Sequence, residues 1–475
     1  MNKTRIKKIR ETLLKKQPLV FDALDKKDQD QVFPFCEKYK AFLDQSKTER
    51  EAARQIIDAA KQKGFVDIDT VLGKTHKNIK KVYKVFQGRC VALAVLGKKL
   101  SGRGANIIAS HIDSPRLDLK QNPIYEDLSM GLMKTHYYGG IRKYHWLALP
   151  LALHGTIIKS NNERVDITIG EHPSDPVFTI TDLLPHLAGK TQANKNISEV
   201  FEGEKLNLVV GSLPLGGKDE KDRFKLGVLN CLFDQYGITE EDFVSAEIEA
   251  VPSEKARDVG FDRSLIGAYG QDDRVCAFTS LEAFLDSEPS EKTIMALFFD
   301  KEEIGSEGSS GAKSNFLEDF MSDLLLIGGE DTGNRSLRKA LIHSSCLSAD
   351  VNAAMDPDFK DVHEAMNAAK LGFGICITKF TGVGGKSGAS DAGSEFVGKI
   401  RQIFNHHHIV WQTGELGKID QGGGGTVAKF LAKFGMNVLD CGPALLSMHS
   451  PFEISSKADV YMTYLGYKAF YKDND

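Results

Sequence analysis

The chain reads as an α/β protein, one α/β domain interrupted by a mainly β insertion, and three observations predict this. Short, continuous apolar runs at Val91 to Leu96, Ile107 to Ala109 and Ile294 to Phe299 have the length of strands buried on both faces. Apolar residues at helical spacing lie among them, as in Val275, Phe278, Leu281 and Phe284. Between about Leu117 and Ala250 that rhythm gives way to alternating segments such as Val165 to Ile169 and turn clusters such as Lys159 to Glu163. Residues of metal-binding type lie on both sides of this stretch. The expected division is therefore 1–116 with 251–475 as one discontinuous domain, and 117–250 as an insertion into it. A length of 475 residues exceeds what one core usually holds, which also favours two domains.

Composition excludes several classes. The chain is 41% hydrophobic and 27% charged, the balance of a soluble globular protein. A formal net charge of -4 offers no general attraction to nucleic acid. No run approaches the roughly 18 apolar residues of a membrane span. The N-terminal MNKTRIKKIRETLLKK is basic and lacks an apolar signal core; Ile6, Ile9, Leu13 and Leu14 fall near one helical face and read as a docking helix. Seven scattered cysteines with no CxxC pair point to reduced thiols in a cytoplasmic protein, not to a disulfide framework or a cysteine zinc site.

In chain order, Thr48 and Glu51 form a capping box for a helix running to Gly64. The run Ile107 to Ala109 leads into SHIDSP, which delivers His111 and Asp113 at a strand end. A carboxylate two residues beyond a metal-binding histidine can orient its ring, although a lone HxD is more often a hydrogen-bonded structural pair. Asp272 and Asp273 open a helix, where aspartates are commonly only caps. The run Ile294 to Phe299 is followed at once by Glu302 and Glu303. In an open α/β sheet ligands bind at the carboxyl ends of strands, so one of these carboxylates can grip a metal while the other reaches the attacking water. By itself the pair would read as a solvated acidic loop. Asp350 ends another short apolar run, and His449 follows the run Ala444 to Leu446.

Two further features compete. His406, His407 and His408 abut an apparent strand and lack nearby acids, so they read as a solvated or packed cluster. The glycine-rich stretches Gly382 to Gly393 and Asp420 to Ala428 are not P-loops, because Phe380 stands where the first glycine would be. They read as loops that let backbone approach a substrate closely.

His111, Asp272, Glu303, Asp350 and His449 all stand at strand or helix ends. Two histidines with three carboxylates suit a pair of divalent, zinc-like ions without sulfur. The motifs SHIDSPR (Ser110 to Arg116), GQDDR (Gly270 to Arg274), DKEEIGSEGSSGA (Asp300 to Ala312), SAD (Ser348 to Asp350) and SMHSPFE (Ser447 to Glu453) span most of the chain. In this order they resemble the aspartyl aminopeptidase and vacuolar aminopeptidase I family of dinuclear zinc metallopeptidases.

The resemblance implies a metallopeptidase catalytic domain with a mixed sheet, and a metal-dependent aminopeptidase that removes the N-terminal residue of a peptide. It places Asp272 between two metals, one also held by His111 and Asp350, the other by Glu303 and His449. Zinc is the family's usual ion, with manganese or cobalt accepted by related enzymes. Glu302 resembles the general base that activates a metal-bridging water, and Asp113 the residue that orients His111. The insertion is implied to build subunit contacts in a homo-oligomer, a tetrahedral dodecamer with enclosed sites. His186, in DLLPHLA, resembles a histidine that reaches into a neighbouring subunit's site. Lys379 or Lys386 would offer a cation for an acidic substrate side chain, yet the surrounding GVGGKSG departs from the acid-selective branch, so neutral or broad specificity is expected. The rival readings are a dinuclear carboxypeptidase or amide deacylase, which would need a basic carboxylate-binding site, and a non-catalytic scaffold or cargo protein of the same fold.

Overall fold

The run that follows Lys292 explains why it is unbroken. In the computed structural model, which describes residues 3–73, 79–287 and 291–473, Thr293–Phe299 is a strand buried at every position. Ile294, Ala296 and Phe298 enter one core, while Met295, Leu297 and Phe299 enter the core on the opposite face, as the two-residue repeat of a strand requires. The first core is closed by helices that include Gln271–Leu285 and Lys457–Tyr471, the second by Phe316–Ile327 and Asn334–Ile342.

This strand belongs to a nine-stranded mixed sheet. It runs parallel to Ala105–His111, which in turn is parallel to Ser345–Ser348, and that strand to Asn437–Gly442. Four neighbouring strands thus point their carboxyl ends the same way, and antiparallel neighbours flank them, Cys90–Val95 on one side and Ile375–Thr378 on the other. The Glu49–Gln62 helix carries the predicted capping box with both of its hydrogen bonds.

Residues 116–252 contribute a separate six-stranded antiparallel sheet with its own core, including Leu117, Met133, Trp146 and Phe243. The alternating pattern accords with this sheet but does not announce the helices beside it, Pro185–Gln192, Ile197–Val200 and Arg223–Tyr236. Arg223–Tyr236 is a 14-residue helix that packs Val228, Leu229, Leu232 and Tyr236 on the sheet. A third, five-stranded sheet joins Leu265–Ala268 to Glu453–Ser456 and Ala444–Leu446, drawing the segments before Asp272 and around His449 together.

Two expectations can be placed on the structure. The Lys3–Leu13 helix buries no residue within the chain and leaves Ile6, Ile9 and Leu13 exposed. The glycine-rich loops approach each other's backbone within the chain: the Gly382 N–H donates to the Gly424 carbonyl at 2.6 Å, and a Cβ on Gly423 would collide with the Gly382 carbonyl. His406, His407 and His408 are exposed, all seven cysteines are free thiols, and among the described residues no helix is long and apolar enough to cross a membrane.

Candidate metal centre

His111 closes the Ala105–His111 strand and is almost wholly buried. Its Nδ1 lies 3.0 Å from the backbone carbonyl of Asp113 and 3.2 Å from that residue's Oδ1. A carbonyl only accepts, so Nδ1 carries a proton and Nε2 is the nitrogen turned away from Asp113. That Nε2 sits 3.3 Å from Asp272 Oδ1. His449 repeats the arrangement from the other side. Its Nδ1 donates to the Gly140 carbonyl at 2.8 Å, and its Nε2 lies 3.2 Å from Asp272 Oδ2 and 3.5 Å from Glu303 Oε2. The two histidines therefore present their Nε2 atoms to opposite oxygens of one carboxylate.

The backbone around this carboxylate is held by Glu453. One of its oxygens accepts the Asp272 N–H at 3.1 Å and the other the His449 N–H at 2.7 Å, while Ser114 Oγ donates to the Asp272 carbonyl. Asp113 plays a matching part at the end of the Thr293–Phe299 strand. Its Oδ1 accepts the Glu302 N–H at 3.1 Å, and its Oδ2 accepts the Glu303 N–H at 3.2 Å and the Tyr138 hydroxyl at 2.8 Å. One carboxylate thus orients a histidine and pins the turn that presents both glutamates. Potential ligand atoms of His111, Asp272 and Glu303 lie within 4.8 Å of one another, as do those of Asp272, Asp273 and Asp350. Asp272 is common to both groups.

The electrostatics describe a cluster short of positive charge. Burial, reinforced by neighbouring carboxylates, pushes Glu303, Asp350 and Asp273 well above the usual carboxylate range. Burial, with Asp113 and Asp272 nearby, pushes Glu302 up to about 7. Burial and then Asp272 push Glu453 up to about 8. Burial would raise Asp272 too, but its contacts with His111 and His449 outweigh that and hold it low. Burial disfavours a charged His449, yet Asp272 and Glu303 raise it to about 10. Glu303 Oε1 and Asp273 Oδ1 are buried with no hydrogen-bond partner. Buried carboxylates in such a group require cations to ionise together. The oxygen and imidazole donors present fit zinc without any thiolate.

The structure brings His111, Asp113, Asp272, Glu302, Glu303, Asp350 and His449 to one end of the central sheet. It does not bring His186 there within the chain: that residue lies on the exposed Pro185–Gln192 helix. Lys379 pairs with Asp391 at 3.9 Å, as does Lys386 at 3.3 Å. Sequence reasoning missed three contributors and gave a fourth, Asp273, no role beyond a helix cap. Glu453 and Asp273 stand inside motifs already singled out, so their spacing was a usable signal. Tyr138 and the Gly140 carbonyl come from the insertion and carry no local signal at all.

Residues 42–471 match the family model described as Aminopeptidase I zinc metalloprotease (M18). The chain is 50% identical over 457 residues, covering 95% of this chain and 98% of the relative, to a "Probable M18 family aminopeptidase 1" of Borrelia garinii subsp. bavariensis. An M18 aminopeptidase from Thermotoga maritima has a solved structure that superposes with a TM-score of 0.92 at 47% identity, covering 96% of this chain and 99% of that one. The S. cerevisiae mApe1 dodecamer is more distant, sharing the fold with a TM-score of 0.74 at 20% identity over 92% of this chain and 96% of its own.

Proposed function

We propose, for a chain that belongs to the M18 family of aminopeptidase I zinc metalloproteases, that Asp272 would be the ligand common to two zinc ions and that Glu302 is the general base of N-terminal residue removal from peptides. On this reading His111 and Asp350 complete one ion's protein ligands, and Glu303 and His449 the other's. The supporting observation is the position of Asp272, whose two oxygens face the Nε2 atoms of two different histidines. Bound there, the ions supply Lewis acidity, which makes a water acidic near neutral pH and polarises the scissile carbonyl.

The chain's own residues do the rest. Glu302 is adjacent to a proposed ligand but is not one, and its backbone is pinned by Asp113. Its carboxylate takes a proton from the attacking water and returns it to the leaving amine. Asp113 and the Gly140 carbonyl keep both histidine rings turned so that Nε2 faces the ions. Glu302→Gln keeps the shape and removes the base. It is expected to retain zinc while losing turnover by roughly 10²- to 10⁴-fold; a zinc-loaded variant that cleaves peptides at a near-normal rate would remove Glu302 from this role.

Neutral or broad specificity is supported by Asp391, which lies 3.3 Å from Lys386 and 3.9 Å from Lys379 and offsets one of their two charges. Release from Leu-anilide is expected to outpace release from Asp-anilide, and the reverse order would assign the chain to acidic substrates. We propose too that residues 117–250 are an oligomerising insertion in a homo-oligomer, a tetrahedral dodecamer in which His186 enters a neighbour's site. The exposed Leu183, Leu184 and Leu187 around His186 support this, as does the dodecamer formed by the yeast protein of the same fold. Seven unpaired thiols support a cytoplasmic location.

A further inference from the structure

The Met130–Tyr138 strand of the six-stranded sheet ends against the metal centre, and its last residue and the two glycines beyond make three separate contacts there. The Tyr138 hydroxyl donates to Asp113 Oδ2 at 2.8 Å. The Gly140 carbonyl accepts from His449 Nδ1 at 2.8 Å. Gly139, at φ +73, packs so closely that a Cβ would meet Glu303 Cβ at 3.3 Å and its Oε2 at 3.4 Å. One short segment thus touches the carboxylate behind the first histidine, the outer nitrogen of the second, and a glutamate between them.

Its placement is itself fixed. The Arg116 guanidinium stacks on the Tyr138 ring at 3.9 Å. Arg116 is buried and paired with Glu49 at 3.4 Å and Glu249 at 3.2 Å, groups carried by the Glu49–Gln62 helix and by the Glu247–Pro252 strand. Stacking alone would hold the ring. The hydroxyl's bond to Asp113 is a separate interaction, and that carboxylate already serves His111, Glu302 and Glu303.

We propose that Tyr138, Gly139 and Gly140 form a positioning element that sets the metal affinity of the centre, so that the β insertion, and not the α/β domain alone, orients the ligands. This role rests on the ligand set proposed above. The hydroxyl of Tyr138 fixes Asp113 and through it the ring of His111. The Gly140 carbonyl keeps the proton of His449 on Nδ1, leaving Nε2 free for an ion. Partners that hold a ligand's far nitrogen in this way govern metal affinity without touching the metal.

The test is zinc affinity measured by competition with a chromophoric chelator, together with the visible absorption spectrum of the cobalt-substituted full-length protein. Tyr138→Phe preserves the ring and its stacking, and is expected to weaken zinc binding about tenfold and to shift the cobalt bands. Gly139→Ala is expected to do the same by pressing on Glu303. Tyr137→Phe, one residue away and half exposed, is expected to match the wild type in both measurements. Wild-type affinity and an unchanged cobalt spectrum in folded Tyr138→Phe and Gly139→Ala would overturn the proposal while leaving the ligand set intact. A wild-type protein that binds no zinc would overturn the ligand set first, and this role with it.

Discussion

Asp113 shows how much one buried carboxylate can organise. It takes hydrogen bonds from His111, from the N–H groups of Glu302 and Glu303, and from Tyr138, so ring, turn and insertion share one reference point. His449 has fewer supports of its own: its backbone is held by Glu453 and its ring by Gly140. On the proposed ligand set, His449→Ala removes a protein ligand from one ion and leaves the other ion's ligands complete. Elemental analysis is expected to find a zinc content falling toward half that of the wild type, and an unchanged content would strike His449 from the set. Residues of this kind were legible in the sequence because they ride on short motifs at strand ends. Tyr138 was not, since a hydroxyl reaching across from another sheet leaves no trace in spacing or periodicity.

Elements were legible to the degree that burial decides them. Thr293–Phe299 is apolar throughout because both its faces meet a core, and its continuous run announces this. The Arg223–Tyr236 helix hides because only one side of it packs and its other face keeps exposed Leu226 and Phe233, which blurs the period. The Lys457–Tyr471 helix carries a different lesson in Asp459, whose carboxylate accepts the Gly372 and Gly374 N–H groups at 2.7 Å each. Burial nonetheless pushes Asp459 up to about 7. An unfolded aspartate titrates near about 4, so between those values the folded chain holds a proton that the unfolded chain has released. The stability contributed is full below about pH 4 and is lost as pH rises through about 7. Asp459→Asn is always neutral, and its urea midpoint is expected to decline less than the wild type's between pH 5 and pH 8. Identical declines would show that Asp459 does not titrate in that window.

At the scale of the whole molecule, the division into an α/β sheet and an antiparallel insertion follows from two hydrophobic rhythms, whereas assembly does not. Contacts between copies depend on exposed surface, where apolar residues are common and carry little pattern. The dodecamer proposed here is expected to scatter light as a particle of roughly 630 kDa, twelve chains of 52.3 kDa. A mass near that of a single chain would reject it and would leave His186 without a neighbour's site to enter. Spatial closeness at the metal centre also conceals a long separation along the polypeptide, for His449 follows His111 by 338 residues. A ribosome that has threaded out His111, Asp272, Glu303 and Asp350 has still made only part of the proposed zinc cradle. On that ligand set the cradle is completed only when the late hairpin that carries His449, between Ala444–Leu446 and Glu453–Ser456, has been made and has folded back on the sheet.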